Sequence, residues 1–218
     1  MNFKNKTSNR SYTRAGATVA ALVILQCGAA RAQHFSARQS PQEAFSVAVS
    51  SSARLAAVMA AIRSAQPSQI SWLAQAFGSE PEPSIRAWIL RAAAQLNASV
   101  EIPLFEQGLK DTSAWVRLAA VECLGKAGGA RAAADLARAL GVEPNPGVRQ
   151  SEAFWLGQIG DPSAVSALGR ALDADGNRGV RLQAAHALRR IGTGEAKKAL
   201  DRGRKDKSRW VREISGGH

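Results

Sequence analysis

The chain has 218 residues, of which 45% are hydrophobic and 21% are charged. This composition supplies one sizeable buried core and excludes a disordered or fibrous protein, so a single folded domain is expected. The formal net charge is +12, from 29 basic and 17 acidic residues, and the excess lies in two segments near the ends of the chain.

Residues 1–32 have the pattern of a signal peptide. Four basic residues and no acidic one open the chain: Lys4, Lys6, Arg10 and Arg14. An apolar run from Ala15 to Ala30 follows, and Ala30-Arg31-Ala32 has the small-x-small pattern that predicts cleavage before Gln33. The run is 16 residues long, whereas a transmembrane helix needs about 20, so cleavage is favoured over an anchor. We therefore predict a periplasmic or secreted bacterial protein.

Cys27 offers an alternative, because residues 24–27 loosely resemble the lipid-attachment site of a lipoprotein. Gln26 stands where such sites have a small residue, which disfavours lipidation. Cleavage near Ala32 leaves Cys123 as the only thiol, so the exported chain forms no internal disulfide. It also leaves 24 basic and 17 acidic residues, a net charge of +7.

Residues 33–52 are predicted to form a linker and an N-terminal cap helix that starts near Pro41. From residue 53 onward, a Val-Arg pair recurs in one phase, with Ala53 and Ile85 replacing the valine. The arginines are Arg54, Arg86, Arg117, Arg149, Arg181 and Arg212, spaced 31 or 32 residues apart. This spacing divides residues 53–218 into units of about 53–84, 85–115, 116–147, 148–179 and 180–210 and a partial unit 211–218.

Each unit has the pattern of two antiparallel helices. Apolar residues at helical spacing follow each Val-Arg pair, and a second apolar i, i+4 pair such as Leu136 and Leu140 follows about twenty residues later. Residues that favour a helix stop lie between them in one slot: Asn97, Gly128, Gly160 and Gly192. Because so short a pair cannot bury both faces, the units must stack. The predicted fold is all-α, a right-handed α-solenoid (α-α superhelix) of about five helix pairs.

An acid lies six residues before every arginine of the repeat except the first. The acids are Glu80, Asp111, Glu143, Asp175 and Asp206. Each falls near the start of the next first helix, where free backbone N–H groups and the helix dipole favour negative charge. An arginine one to two turns into the helix can bridge to the acids of its own and the adjacent unit. We therefore predict a structural ladder of acids with Arg86, Arg117, Arg149, Arg181 and Arg212.

These residues resemble HEAT repeats, most closely the short variant named after phycobilisome lyases. Residues 111–125 match the text D-x-x-x-x-V-R-x-x-A-A-x-x-L-G almost letter for letter, and its start recurs at residues 206–212. The resemblance covers roughly residues 53–214. It implies a solenoid that binds other macromolecules, and it also raises the alternative of a cofactor-assisted enzyme or enzyme subunit, like the lyases and hydroxylases of this architecture.

The residues for such chemistry are missing from the sequence. Deoxyhypusine hydroxylases carry repeated His-Glu pairs that hold iron, and no His-Glu pair occurs here. His34, His186 and His218 lack metal-ligand spacing. Cys123 occupies a slot that other units fill mostly with alanine, which indicates a buried, inert thiol. We therefore predict no catalytic residue, no metal and no cofactor, and a protein that is not an enzyme.

Glu152 and Trp155 depart from the repeat within one unit. The slot of Glu152 is apolar in the other units, and a buried carboxylate is costly unless it is paired. Glu152 is therefore expected either to pair with Arg149, the favoured reading, or to face a functional groove together with Trp155.

The second basic segment runs from Arg189 to Arg212, with ten basic and three acidic residues. It is either a solvated terminal cap or an electrostatic dock for an acidic partner protein, for an anionic membrane surface or for cell-envelope polyanions. The residues of this basic end are Lys197, Lys198, Arg202, Arg204, Lys205, Lys207 and Arg209. Nucleic acid is not expected as a partner of an exported protein. The predicted function is a non-catalytic protein–protein interaction scaffold that binds a partner along the solenoid surface.

Overall fold

The structure, a computed structural model, describes residues 40–66, 69–97 and 102–216. The predicted signal peptide with Cys27, most of the predicted linker, His34 and His218 lie outside the described residues. Within them every element of regular secondary structure is a helix, and no strand is present. The helices are α1 (Pro41–Ser46), α2 (Ser51–Ser64), α3 (Ile70–Ser79), α4 (Pro83–Asn97), α5 (Ile102–Gly108), α6 (Ala114–Ala127), α7 (Gly129–Leu140), α8 (Pro146–Ile159), α9 (Val165–Ala174), α10 (Arg178–Ile191), α11 (Gly194–Gly203) and α12 (Arg209–Gly216).

The helix ends follow from local side-chain chemistry. Asn145 accepts hydrogen bonds from the first backbone N–H groups of α8, and Asn177 does the same for α10. At the other end of these helices, Gly160 and Gly192 have φ angles of 75° and 71°, in the left-handed region that glycine adopts without strain. Ala65 holds the same slot after α2 with a φ of 51°. The turn is therefore a property of the repeat, retained even where glycine is absent.

The even-numbered helices from α2 to α12 carry the repeat arginines, and each packs against the next along the chain. The odd-numbered helices form a second layer. From α3 to α9, each of them packs more extensively on the helix that follows it than on the one before, whereas α11 packs about equally on α10 and α12. The closest helix pairs are therefore α3 with α4, α5 with α6, α7 with α8 and α9 with α10, one helix out of phase with the units drawn from the sequence. A stacked array buries both layers in a single continuous core, which makes the fold an all-α solenoid.

The layer of even-numbered helices is tightly packed at two glycines. A Cβ added at Gly157 of α8 would lie 2.8 Å from the Cα of Ala187 in α10, so these backbones approach as closely as glycine allows. Gly125 of α6 makes room instead for the ring of Trp155 in α8, because a Cβ there would lie 2.1 Å from Trp155 Cδ2. A larger side chain at either glycine would push neighbouring helices apart.

No helix in the described ranges is both long and apolar enough to cross a membrane.

Candidate interaction surface

Five ion pairs among the described residues run along one edge of the stack. In each, Nε and Nη2 of an arginine donate to the two carboxylate oxygens of an acid 25 or 26 residues later. The distance from Nε to its carboxylate oxygen is 2.7 Å in all five. The pairs are Arg54–Glu80, Arg86–Asp111, Arg117–Glu143, Arg149–Asp175 and Arg181–Asp206. We call these pairs the ladder. Each rung joins one arginine-bearing helix to the start of the next.

The third guanidinium nitrogen of each arginine, Nη1, does not pair with the acid and instead fixes the side chain to the backbone. Arg149 Nη1 donates to the backbone oxygens of Glu143 and Pro144, at 3.0 and 2.9 Å. Arg86, Arg117 and Arg181 make the same pair of contacts with their own preceding loops. The acid six residues before an arginine therefore offers it a backbone carbonyl, while the carboxylate of that acid pairs with the arginine of the previous unit.

Each ladder acid also closes a loop. Asp111 accepts the backbone N–H of Ser113 at 2.8 Å, and Asp175 accepts that of Asn177 at 2.8 Å. The remaining three acids make the equivalent contact two residues on. One carboxylate thus satisfies free donors ahead of a helix and pairs with a guanidinium from the neighbouring unit.

Four of the ladder carboxylates, those of Asp111, Glu143, Asp175 and Asp206, are ionised at neutral pH. Burial alone would raise the pKa of Asp111, Glu143, Asp175 and Asp206, but the paired guanidinium and the loop N–H outweigh it and hold each pKa below its ordinary value. Burial also strengthens each bidentate pair, because little water competes with it.

Glu152 lies in the core beside the ladder. The residue is 1% exposed, and neither carboxylate oxygen has a hydrogen-bond partner among the described residues. Burial is the main cause that raises its pKa to about 8, and the nearby charge of Glu143 adds to the shift. The favoured pairing with Arg149 is wrong, because Asp175 and two carbonyl groups take up that guanidinium. Because the Glu152 side chain is enclosed in the core, it does not face an open groove on the protein surface.

Trp155 is half-buried and contributes to packing. Its ring fills the space left by Gly125, and it meets Phe154 edge-on with ring centroids 5.3 Å apart. Phe154 is 39% exposed. The structure therefore places the ring of Trp155 between α6 and α8.

All seven residues of the basic end are exposed on α11, the loop after it and the start of α12. Arg202 pairs with Asp173 at 2.8 Å, and Arg209 pairs with Glu213 at 2.7 Å. Arg204 lies 3.3 Å from Asp201. The four lysines form no ion pair with any described residue: Lys197, Lys198, Lys205 and Lys207. The free positive charge of the basic end is therefore carried by its lysines.

An aromatic cluster on α4 and α6 was missed by sequence reasoning. The guanidinium carbon of Arg91 lies 5.7 Å from the ring centroid of Trp88 and 5.6 Å from that of Trp115, and Arg91 Nε lies 3.3 Å from Glu122. Trp115 nevertheless remains 54% exposed. The sequence did offer one signal for this cluster. The repeat aligns adjacent arginine-bearing helices, and this alignment places Trp115 opposite the helix that carries Arg91.

Two shallow clefts flank the ladder edge. One, of about 380 Å³, lies between α1 and α3 and includes Phe45, Trp72 and the Arg54–Glu80 rung. The other, of about 440 Å³, lies at the basic end and is lined by Gly176, Arg178, Arg181, Lys207, Ser208, Arg209 and Trp210. The second cleft brings three exposed cations and one exposed aromatic ring to one place.

Cys123 is buried, and desolvation raises the pKa of its thiol to about 12, so it is protonated at neutral pH. His186 lies exposed on α10. The described part of the chain contains no group of three or more His, Cys, Asp or Glu side chains placed to hold a metal ion.

Comparison with known proteins points to one repeat family. A family model described as HEAT repeats matches residues 70–154 and 142–215. No curated protein matches the chain.

The solved structures that resemble the chain include designed armadillo repeat proteins. A designed armadillo repeat protein in complex with the peptide (KR)4 has a TM-score of 0.55 at 18% identity, covering 81% of this chain and 96% of its own. An engineered protein has a TM-score of 0.52 at 17% identity, covering 81% of this chain and 94% of its own. Human deoxyhypusine hydroxylase in complex with glycerol has a TM-score of 0.49 at 25% identity and 75% coverage of this chain, which spans 65% of that enzyme.

Proposed function

We propose that this chain, which belongs to the HEAT-repeat family, is a non-catalytic scaffold that binds another protein along its solenoid surface. The basic end is the observation that carries the proposal. Its seven cations are exposed, and its four lysines form no ion pair with any described residue. Clustered positive charge of this kind attracts and orients an acidic partner.

The rest of the fold supports this role by its rigidity. The ladder locks successive helices into one register, so the surface is preformed and loses little conformational freedom when a partner binds. No catalytic group is needed for such binding. The buried Cys123 is also unsuited to nucleophilic chemistry, because its thiol stays protonated.

The proposal is tested by capturing partners from a cell-envelope extract with the purified protein at low and high salt. Replacing Lys197, Lys198 and Lys205 with glutamine is expected to reduce capture of an acidic protein, and the reduction is expected to be largest at low salt. The control variant carries Arg63→Gln, Lys110→Gln and Arg170→Gln, which remove the same charge from exposed sites elsewhere.

Equal capture by both variants would return the basic end to the role of a solvated cap. Co-sedimentation with anionic vesicles in place of protein capture would shift the proposal to a membrane surface. Stoichiometric iron or a bound chromophore in the purified protein would contradict the non-catalytic function.

We also propose that the protein is exported, on the support of its first 32 residues. Expression of the whole chain in a bacterium is expected to yield a periplasmic or secreted product whose first residue is Gln33, as read by N-terminal sequencing. A product that keeps Met1 and stays in the cytoplasm would contradict export, and a lipid-modified product starting at Cys27 would support the lipoprotein alternative.

A further inference from the structure

The ladder has an open last rung. Arg212 is the sixth arginine of the repeat, and its Nη1 donates to the backbone oxygens of Asp206 and Lys207 at 2.8 and 3.2 Å. These are the contacts that hold Arg86, Arg117, Arg149 and Arg181 in place. No carboxylate of the described residues pairs with the Nε and Nη2 atoms of Arg212.

The geometry of the other rungs defines what fits this position. In all five closed rungs, Nε and Nη2 of the arginine donate hydrogen bonds to the two carboxylate oxygens of an aspartate or glutamate, at distances of 2.7 to 3.2 Å. A guanidinium that is held in place through Nη1 is preorganised for such a planar acceptor with two oxygens. Arg212 is also exposed, so a carboxylate from another molecule can reach it.

The surroundings favour an acidic protein segment. Lys205 and Lys207 flank Asp206 and are both exposed. Lys207 also lines the 440 Å³ cleft, together with Arg178, Arg209 and the ring of Trp210, which is 59% exposed. A chain that places one carboxylate on Arg212 therefore finds further cations and an aromatic surface next to it.

The N-terminal end of the stack does not offer a matching acid. Ala48 stands six residues before Arg54, in the slot that an acid fills before the other repeat arginines. Head-to-tail stacking of two copies would therefore leave the rung open, which argues for a different partner.

We propose that Arg212 is the anchor of an end-on docking site that takes an aspartate or glutamate of a partner protein as the sixth rung of the ladder. The inference rests on the proposed function and deepens it, because it specifies the chemistry and the position of the contact.

The test uses the full chain and a labelled hexa-aspartate peptide, with hexa-asparagine as the blank, at about 0.15 M salt, where only short-range contacts persist. Arg212→Lys keeps the charge but loses the planar fork, and it is expected to weaken binding by about tenfold. Arg190→Lys is the matched control, since Arg190 is an exposed arginine of α10 without an ion pair among the described residues, and its affinity is expected to stay unchanged. Circular dichroism checks that both variants are folded.

Equal affinities for Arg212→Lys and the wild type would overturn the inference. Binding of inorganic phosphate or anionic vesicles that depends on Arg212, without binding of hexa-aspartate, would overturn it as well. If a protein partner is captured and its binding is insensitive to Arg212→Lys, the scaffold function holds while the sixth rung fails. If hexa-aspartate binding depends on Arg212 but no partner is captured, the rung holds while the scaffold function fails.

Discussion

Replacing Arg149 with alanine is expected to lower the free energy of unfolding by about 3 kcal/mol, because it breaks a largely buried, bidentate rung in the middle of the stack. The side chains of Arg149 and Asp175 are only 18% and 9% exposed. Removing the guanidinium leaves the Asp175 carboxylate without its cationic partner. It also removes the donor from the carbonyl groups of Glu143 and Pro144. Three polar groups at one helix junction then lose their partner together.

Urea denaturation followed by circular dichroism measures this effect. Arg170→Ala is the control, because Arg170 is exposed and, among the described residues, its side chain hydrogen-bonds only to Ser166. Arg149→Lys is expected to recover little of the loss, since lysine cannot reproduce the planar fork. Helical content is expected to persist in all variants. An unfolding midpoint of Arg149→Ala that matches that of Arg170→Ala would show that the rung adds no stability.

The ladder also determines how the stability of the fold depends on pH in acid. The carboxylates of Asp111, Glu143, Asp175 and Asp206 have lowered pKa values in the folded state, so their contribution is complete above the unfolded pKa, about 4, and is lost as the pH falls through the folded values. The stack is therefore expected to loosen at its rungs in acid.

Replacing Glu152 with leucine is expected to stabilise the protein by a few kcal/mol at pH 8, because it removes a buried carboxylate that has no hydrogen-bond partner among the described residues. The same slot holds Ala57, Ile89, Ala120 and Ala184 in other units, so an apolar side chain suits this environment.

The pH dependence of this effect has a definite sign. The pKa of Glu152 is raised to about 8 in the folded state from an ordinary value of 4.5, so between these values the folded chain keeps a proton that the unfolded chain releases. Stability of the wild type therefore falls as the pH rises, by up to about 1.4 kcal/mol per pH unit. Below pH 4.5 both states are protonated, and above pH 8 the loss is complete and constant.

Denaturation of wild type, Glu152→Leu and Glu152→Gln between pH 5 and pH 8 tests the assignment. Both variants are expected to remove the decline, while the leucine variant alone gains apolar packing. Glu213→Gln removes an exposed carboxylate and serves as the control. A wild-type stability that stays flat from pH 5 to pH 8 would show that Glu152 has a compensating partner.

The fold was largely predictable from the sequence, because the periodic signals repeat. Arginine spacing, apolar periodicity and turn residues all indicate the same helices, and the family match and the solved repeat structures agree with an all-α solenoid. The phase of the helix pairs could not be predicted, since a repeat read from sequence has no preferred starting point. Contacts in space decide that α3 pairs with α4.

The site was less predictable, because its contacts depend on which groups meet across units. Spacing places an acid six residues before Arg149, but only the stacking of helices decides that Asp175 takes the fork of that arginine. Because Asp175 and two backbone carbonyl groups bind the guanidinium of Arg149, Glu152 does not form the expected pair with it. Trp155 was interpreted from its own unit alone, whereas its environment is set by Gly125 of the preceding one.

The rungs have the same geometry in every unit, so each rung fixes the alignment of one arginine-bearing helix with the next. The repeat arginines from Arg86 onward bond the backbone six residues earlier, whereas 25 or 26 residues separate an arginine from its acid in the next unit. In the two shorter spans a glycine, Gly108 or Gly203, lies three residues before the acid. A Cβ at Gly108 would come within 2.9 Å of Ala120 Cβ, so the glycine accommodates the closer approach. A residue gained or lost between rungs is thus absorbed locally, and units of unequal length can be added to the array without shifting their neighbours out of alignment.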